Sequence, residues 1–171
     1  MESRAKILGH PAHPILIVFP LGLLITSVIF DIIHLFTGNG YWSEIAFWML
    51  VGGLIGGIVA GIAGFIDWAA IPDGTRAKRI GLLHSIGNVV VLLLFTFGWV
   101  FRLYTPLRNP PVFALICSAL GLILGAYTAW LGGEMVNRLG IGVDEGANMN
   151  APSSLSHKSA HAIEKSVPDV R

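Results

Sequence analysis

Five side chains that can bind metals stand close to the ends of long apolar stretches. They are His10, His13, Asp67, His84 and Glu134. Imidazole nitrogens are ligands for haem iron, zinc and non-haem iron, while carboxylates bind harder ions or orient a histidine through its second ring nitrogen. If the chain folds so that these ends meet, three histidines and two carboxylates form one cluster.

A repeated spacing links two of these histidines to a pair of opposite charges. His13 precedes Asp31 by 18 residues, and His84 precedes Arg102 by the same interval. Eighteen residues are five turns of an α-helix, so each histidine shares a helix face with the charge that follows it. If the two helices lie side by side, each histidine is level with the other. We therefore predict a structural ion pair between Asp31 and Arg102, about 27 Å from the histidines.

The composition indicates whether the chain that carries these residues folds in water or in a membrane. Only 12% of the 171 residues are charged, 54% are hydrophobic, and the mean hydropathy is +0.71. These values exclude a disordered chain and an ordinary water-soluble enzyme. A net charge of +1 offers no basic surface for nucleic acid, and the single cysteine, Cys117, excludes a disulfide framework. The composition therefore predicts an integral membrane protein of one domain.

Four apolar stretches are long enough to cross a bilayer core, which takes about 20 helical residues. They comprise residues 14–36, 45–66, 80–101 and 112–133. Backbone groups in lipid must be hydrogen-bonded internally, so these spans are helices, and the short connections make consecutive helices antiparallel. We predict an all-α, up-down-up-down membrane four-helix bundle over residues 1–143 and a flexible polar tail over residues 144–171.

Lysine and arginine residues predict the orientation of the bundle. Most of those near the spans fall on the side that holds the histidines: Arg4, Lys6, Arg76, Lys78, Arg79 and Arg138. The positive-inside rule places this side, and with it both termini, in the cytoplasm. No small-x-small cleavage site follows the first span, so we do not expect a cleavable signal peptide.

Small residues recur every four positions on the second and fourth helices. The rows are Gly53, Gly57, Gly61; Gly52, Gly56, Ala60, Gly64; and Gly121, Gly125, Ala129, Gly133. In lipid, such rows permit close backbone approach between helices. Two rows on one helix predict two neighbours, both within the chain or one of them in a homodimer. A glycine row could also leave room for a planar cofactor.

Several ordered motifs resemble those of the bacterial membrane family known as domain of unknown function 2231 (DUF2231). They are His10-Pro-Ala-His13-Pro with Phe19-Pro20, Ile66-Asp67-Trp68, Gly81-Leu-Leu-His84 with Asn88, and Leu131-Gly-Gly-Glu134 with Arg138-Leu-Gly-Ile-Gly-Val143. The resemblance covers residues 8–146 and implies a four-helix domain of the bacterial inner membrane. Some relatives are fused to Rieske iron–sulfur or cytochrome c domains, which implies redox partner proteins, although this chain has neither of their cysteine motifs.

Three interpretations of the polar cluster remain open. A b-type haem could be held between His13 and His84, with His10 and the carboxylates around it. Alternatively, zinc or iron could be bound by all five residues named at the outset. The third interpretation is an accessory or scaffold protein whose polar layer is structural. No nucleophile–base pair or nucleotide motif is present, so we assign no catalytic residue and expect a subunit rather than a stand-alone enzyme.

Overall fold

Four long apolar helices make up most of the molecule. The structure is a computed structural model that describes residues 1–162. The first span joins α1 (Ala12–Leu16) to α2 (Val18–Thr37), and α3 (Gly40–Ala69), α4 (Arg76–Arg102) and α5 (Val112–Asn137) follow. All four spans are long and apolar enough to cross a membrane. The predicted fold class is therefore confirmed.

The helices extend beyond the apolar segments from which they were predicted. α3 begins at Gly40 because the side chain of Asn39 accepts a hydrogen bond from the amide of Tyr41 (3.0 Å). α4 begins at Arg76, where Thr75 accepts from the amide of Lys78 (3.1 Å). The 30 residues of α3 rise about 45 Å, more than a bilayer core of about 30 Å, so its polar ends emerge from the lipid.

Apolar side chains cover the outside of the bundle and also fill its centre. Phe36 is 87% exposed and Ile123 is 69% exposed, as expected for residues that face lipid. Inside, the buried apolar cluster consists of Leu24, Leu50, Val91 and Phe95. The bundle therefore has an apolar middle layer, and its buried charges lie elsewhere.

The two halves of the chain repeat one pattern of buried positions. The buried residues Pro20, Leu24, Ser27 and Asp31 of α2 correspond to Val91, Phe95, Gly98 and Arg102 of α4, each 71 residues later. The buried residues Ala46, Leu50, Gly53, Ala60 and Ala63 of α3 correspond to Ala114, Ser118, Gly121, Thr128 and Leu131 of α5, each 68 residues later. The bundle therefore consists of two similar helical hairpins, α1–α3 and α4–α5.

The glycine rows are occupied by neighbours within the chain. A Cβ atom at Gly53 would lie 2.6 Å from Leu24, and one at Gly121 would lie 2.9 Å from Phe95, which is the corresponding contact in the other hairpin. A Cβ at Gly57 would lie 2.5 Å from Leu92 of α4. α3 thus contacts two intramolecular neighbours, as one of the two predicted alternatives requires. The homodimer stays a prediction.

A small hairpin precedes the first span and contacts residues beyond the last one. Strands β1 (Lys6–Ile7) and β2 (His10–Pro11) pair antiparallel around Leu8 and Gly9, both with positive φ. The sequence did not predict this turn, because leucine rarely adopts a left-handed conformation. Residues 144–162 form turns, and Ser154 Oγ donates to the carbonyl of Leu8 (3.1 Å). Residues 163–171 of the predicted flexible tail lie outside the described residues.

An ion-pair network joins this hairpin to residue 144. Lys6 Nζ lies 2.8 Å from a carboxylate oxygen of Glu2 and 3.0 Å from one of Asp144. The hydrogen bond from Lys6 lowers the pKa of the Glu2 carboxyl, and the two carboxylates raise the pKa of Lys6. All three side chains are partly exposed, so the network orders the segment more than it stabilises the fold.

Candidate histidine site

His13 and His84 lie side by side at one end of the bundle. The centres of their rings are 6.2 Å apart, and the ring planes meet at 80°. His13 lies on α1 and His84 lies near the start of α4, so one ring comes from each helical hairpin. The equal depth expected from the 18-residue spacing is therefore observed. We call these two residues the histidine pair.

Each ring of the histidine pair is oriented by a main-chain carbonyl of a neighbouring helix. His13 Nδ1 lies 2.8 Å from the carbonyl oxygen of Ala60 on α3, and His84 Nδ1 lies 2.9 Å from that of Thr128 on α5. A carbonyl only accepts hydrogen bonds, so in a neutral ring Nδ1 carries the proton and Nε2 has the lone pair. This is the arrangement in which histidines bind metals through Nε2.

A glycine one helical turn beyond each carbonyl makes room for each ring. A Cβ atom at Gly64, four residues after Ala60, would lie 2.8 Å from His13 Nδ1. A Cβ at Gly132, four residues after Thr128, would lie 3.2 Å from His84 Cε1. Sequence reasoning missed these roles. The sequence signal that could have revealed them is a glycine at matching positions of the second and fourth helices, Gly64 and Gly132.

The surroundings of the two rings differ at the other ring nitrogen. Asn88 Nδ2 lies 3.2 Å from His84 Nε2 and donates to the carbonyl of His84 (2.8 Å). Thr128 Oγ1 lies 3.1 Å from Asn88 Oδ1 and 3.0 Å from the carbonyl oxygen of Gly125, and its single hydroxyl proton can be donated to either acceptor. The corresponding residues of the first hairpin are Ile17 and Ala60, which have no polar side chain. His84 is therefore held by a polar network that His13 lacks.

The other three residues of the predicted cluster are engaged elsewhere, so the five-residue cluster is not formed. Asp67 accepts hydrogen bonds from Ser3 Oγ (2.7 Å) and from the amides of Arg4 (2.7 Å) and Ala5 (3.0 Å). The two amides belong to the segment before β1, which is not helical and leaves its main-chain N–H groups available to the carboxylate.

Glu134 and His10 also have partners outside the histidine pair. Glu134 forms an ion pair with Arg76 (2.6 Å), which joins the end of α5 to the start of α4. His10 is exposed on β2, and its Nε2 lies 3.2 Å from Ser154 Oγ. Within residues 1–162, no group of three or more His, Cys, Asp or Glu side chains is placed to hold a metal ion.

The predicted ion pair is present on the interior of the bundle. Arg102 donates two hydrogen bonds to the carboxylate of Asp31, and its Nη1 lies 2.7 Å from Oδ1. The two residues are 0% and 1% exposed. They come from α4 and α2, so the pair joins the two hairpins at the opposite end from the histidine pair.

His34 follows Asp31 by one helical turn and connects two loops. Its Nδ1 lies 3.0 Å from the carbonyl oxygen of Asn39, and its Nε2 contacts the side-chain oxygen of Asn109. This histidine is therefore held by residues from the α2–α3 and α4–α5 connections, and it takes no part in the histidine pair.

The four apolar spans and the polar layers within them define an integral membrane protein that lies in a lipid bilayer. The chain belongs to the family DUF2231, described as a predicted membrane protein, whose family model matches residues 9–145. The match confirms the resemblance drawn from the sequence motifs. No curated protein and no solved structure matches the chain.

Proposed function

We propose that this membrane protein is a redox-associated subunit that binds one b-type haem through His13 and His84. The observation that carries the proposal is the orientation of the histidine pair. Each Nδ1 lies at hydrogen-bond distance from a main-chain carbonyl, so both Nε2 atoms have lone pairs for an axial bond to iron.

The number of donors favours haem over zinc or non-haem iron. A porphyrin supplies four nitrogen ligands itself and needs only two from the protein, whereas protein zinc sites use three or four residues. His10, Asp67 and Glu134, the residues that would complete such a site, have other partners. The centres of the two rings are 6.2 Å apart, so His13 and His84 are close enough together to be the two protein ligands of one haem.

The surroundings of the pair suggest where such a haem would act. A haem held by both histidines would supply electron-transfer chemistry. Arg4, Arg76, Arg79 and Arg138 lie toward the same end of the chain's spans as the pair, which by the positive-inside rule is the cytoplasmic side of a bacterial inner membrane. Redox partner proteins would meet the bundle at this end.

The absorption spectrum of the full chain, purified in detergent, tests the proposal. We expect a Soret band and a reduced-minus-oxidised spectrum typical of b-type haem, both lost in His13→Ala and in His84→Ala. His10→Ala and His34→Ala are matched controls and should keep both signals, because neither ring belongs to the pair. A haem-free protein, or a Soret band that survives both substitutions, would overturn the proposal.

The second candidate function is a scaffold subunit in which the polar layer around the histidine pair only holds the helices of the bundle in place. The observation in its favour is that both Nδ1 atoms and the Nε2 of His84 already have partners within the chain. In that case the purified protein contains neither haem nor a stoichiometric metal, and His13→Ala lowers the unfolding temperature without any spectral change.

A further inference from the structure

We infer that the amide of Asn88 competes with an incoming metal centre for Nε2 of His84, and so sets the affinity of the histidine pair. The inference rests on the proposed function, because it concerns the same two rings. It assigns a role to a residue that bonds to neither Nδ1 atom and that the haem interpretation does not use.

The contacts of Asn88 define the competition. Its Nδ2 is 3.2 Å from His84 Nε2, and this nitrogen has a single lone pair once Nδ1 carries the proton. That lone pair can accept from the amide or bind a metal, but not both. Ligation of His84 therefore requires the Asn88 side chain to turn away or a ligand to outcompete its hydrogen bond.

The network around Asn88 holds the amide in the competing position. The same Nδ2 donates to the carbonyl of His84, while Oδ1 accepts from Thr128 Oγ1. Asn88 is half-buried, and Thr128 is 1% exposed, so water does not readily replace these bonds. Moving the amide costs hydrogen bonds, and this cost lowers the apparent affinity of the pair.

The first hairpin shows what the site looks like without this restraint. At the position of Asn88 it has Ile17, and at the position of Thr128 it has Ala60. His13 nevertheless keeps the same Nδ1 contact to a carbonyl of the next helix. The asparagine and threonine are therefore not needed to orient a ring, and their effect falls on Nε2 of His84.

Titration of the haem-free full chain in detergent with haemin, followed at the Soret band, tests the inference. Asn88→Ile copies the first hairpin at this position, and Asn88→Ile with Thr128→Ala copies it at both positions; in the single variant the Thr128 hydroxyl keeps the carbonyl of Gly125 as a partner (3.0 Å). Loss of one competing hydrogen bond should tighten haemin binding about five- to tenfold. Asn109→Ala is the matched control, because Asn109 contacts His34 at the opposite end, and it should leave the affinity unchanged.

The outcomes separate this inference from the proposed function. Tighter binding in both Asn88 variants, or binding in the variants alone, supports the inference. Binding by the unaltered chain that is equal or weaker in folded Asn88 variants overturns the inference and leaves the proposed function intact. Absence of binding in every variant overturns both.

Discussion

At the scale of single residues, close packing decides which polar side chains keep their geometry. Each ring of the histidine pair lies over a glycine, and the space that a methyl group would fill is occupied by the imidazole. Gly61 of α3, by contrast, has no atom within 4 Å of the position that a Cβ would take. The stability lost when a glycine is replaced by alanine therefore depends on which atoms lie next to it, and not on whether it belongs to a small-residue row.

Gly64→Ala is expected to disturb the His13 site. The added Cβ would lie 2.8 Å from His13 Nδ1, too close for unaltered packing, so the ring must move and its hydrogen bond to Ala60 weakens. We expect a loss of about 1–3 kcal/mol in the free energy of unfolding. Reversible unfolding in detergent measures it.

Gly61→Ala is the matched control for this substitution. Gly61 lies on the same helix three residues earlier, and a Cβ there meets no atom within 4 Å. Its stability should be unchanged or slightly higher, since alanine favours helix. Equal losses of unfolding free energy in the two variants would contradict the conclusion that Gly64 makes room for the His13 ring.

At the scale of elements, charged side chains near the helix ends pair with main-chain groups of neighbouring segments. Asp67, at the end of α3, accepts from two main-chain amides of the segment before β1 and from Ser3. Lys78, near the start of α4, donates to the carbonyls of Trp68 (3.1 Å) and Ile71 (3.1 Å). These residues join elements, which explains why Asp67 is absent from the histidine pair.

Asp67→Asn should release the segment before β1 and leave the pair unaltered. Two charge-assisted hydrogen bonds from the amides of Arg4 and Ala5 become weaker, so hydrogen exchange at these amides should accelerate at least tenfold. Exchange measured in detergent by mass spectrometry checks this. Any haem spectrum should be unchanged, and loss of that spectrum would indicate that Asp67 is a ligand after all.

At the scale of the whole molecule, two similar hairpins meet along the polar layers. The histidine pair joins α1 to α4 at one end, and the ion pair joins α2 to α4 at the other. Between them lies the apolar cluster of Leu24, Leu50, Val91 and Phe95. The two hairpins therefore meet through a ring–ring contact at one end, an ion pair at the other and apolar packing in the middle.

Arg102→Met is expected to destabilise the bundle strongly, because it leaves the carboxylate of Asp31 buried without a partner. A loss of about 3–5 kcal/mol is typical of such a change. Asp31→Leu should behave similarly. The double variant, Asp31→Leu with Arg102→Met, should recover much of the loss, since no uncompensated charge remains in the apolar interior.

Unfolding of the two single variants and the double variant in one detergent gives the coupling free energy between the sites. Simple addition of the two single losses in the double variant would show that the buried ion pair does not link the hairpins. Strong recovery would show that the pair chiefly specifies which helix faces meet.

The amino-acid sequence by itself determined the spans, their antiparallel order, the equal depth of His13 and His84 and the pairing of Asp31 with Arg102. Hydrophobic length and helical periodicity are local properties, and they leave few choices to a chain that must satisfy its main chain in lipid. Tertiary structure decided which cluster members actually meet. Asp67, Glu134 and His10 have partners 58 residues or more away in sequence, and spacing along one helix carries no information about such competing partners. The Asn88–Thr128 contact likewise joins two helices, so only the packed bundle could reveal that one imidazole is restrained and the other is not.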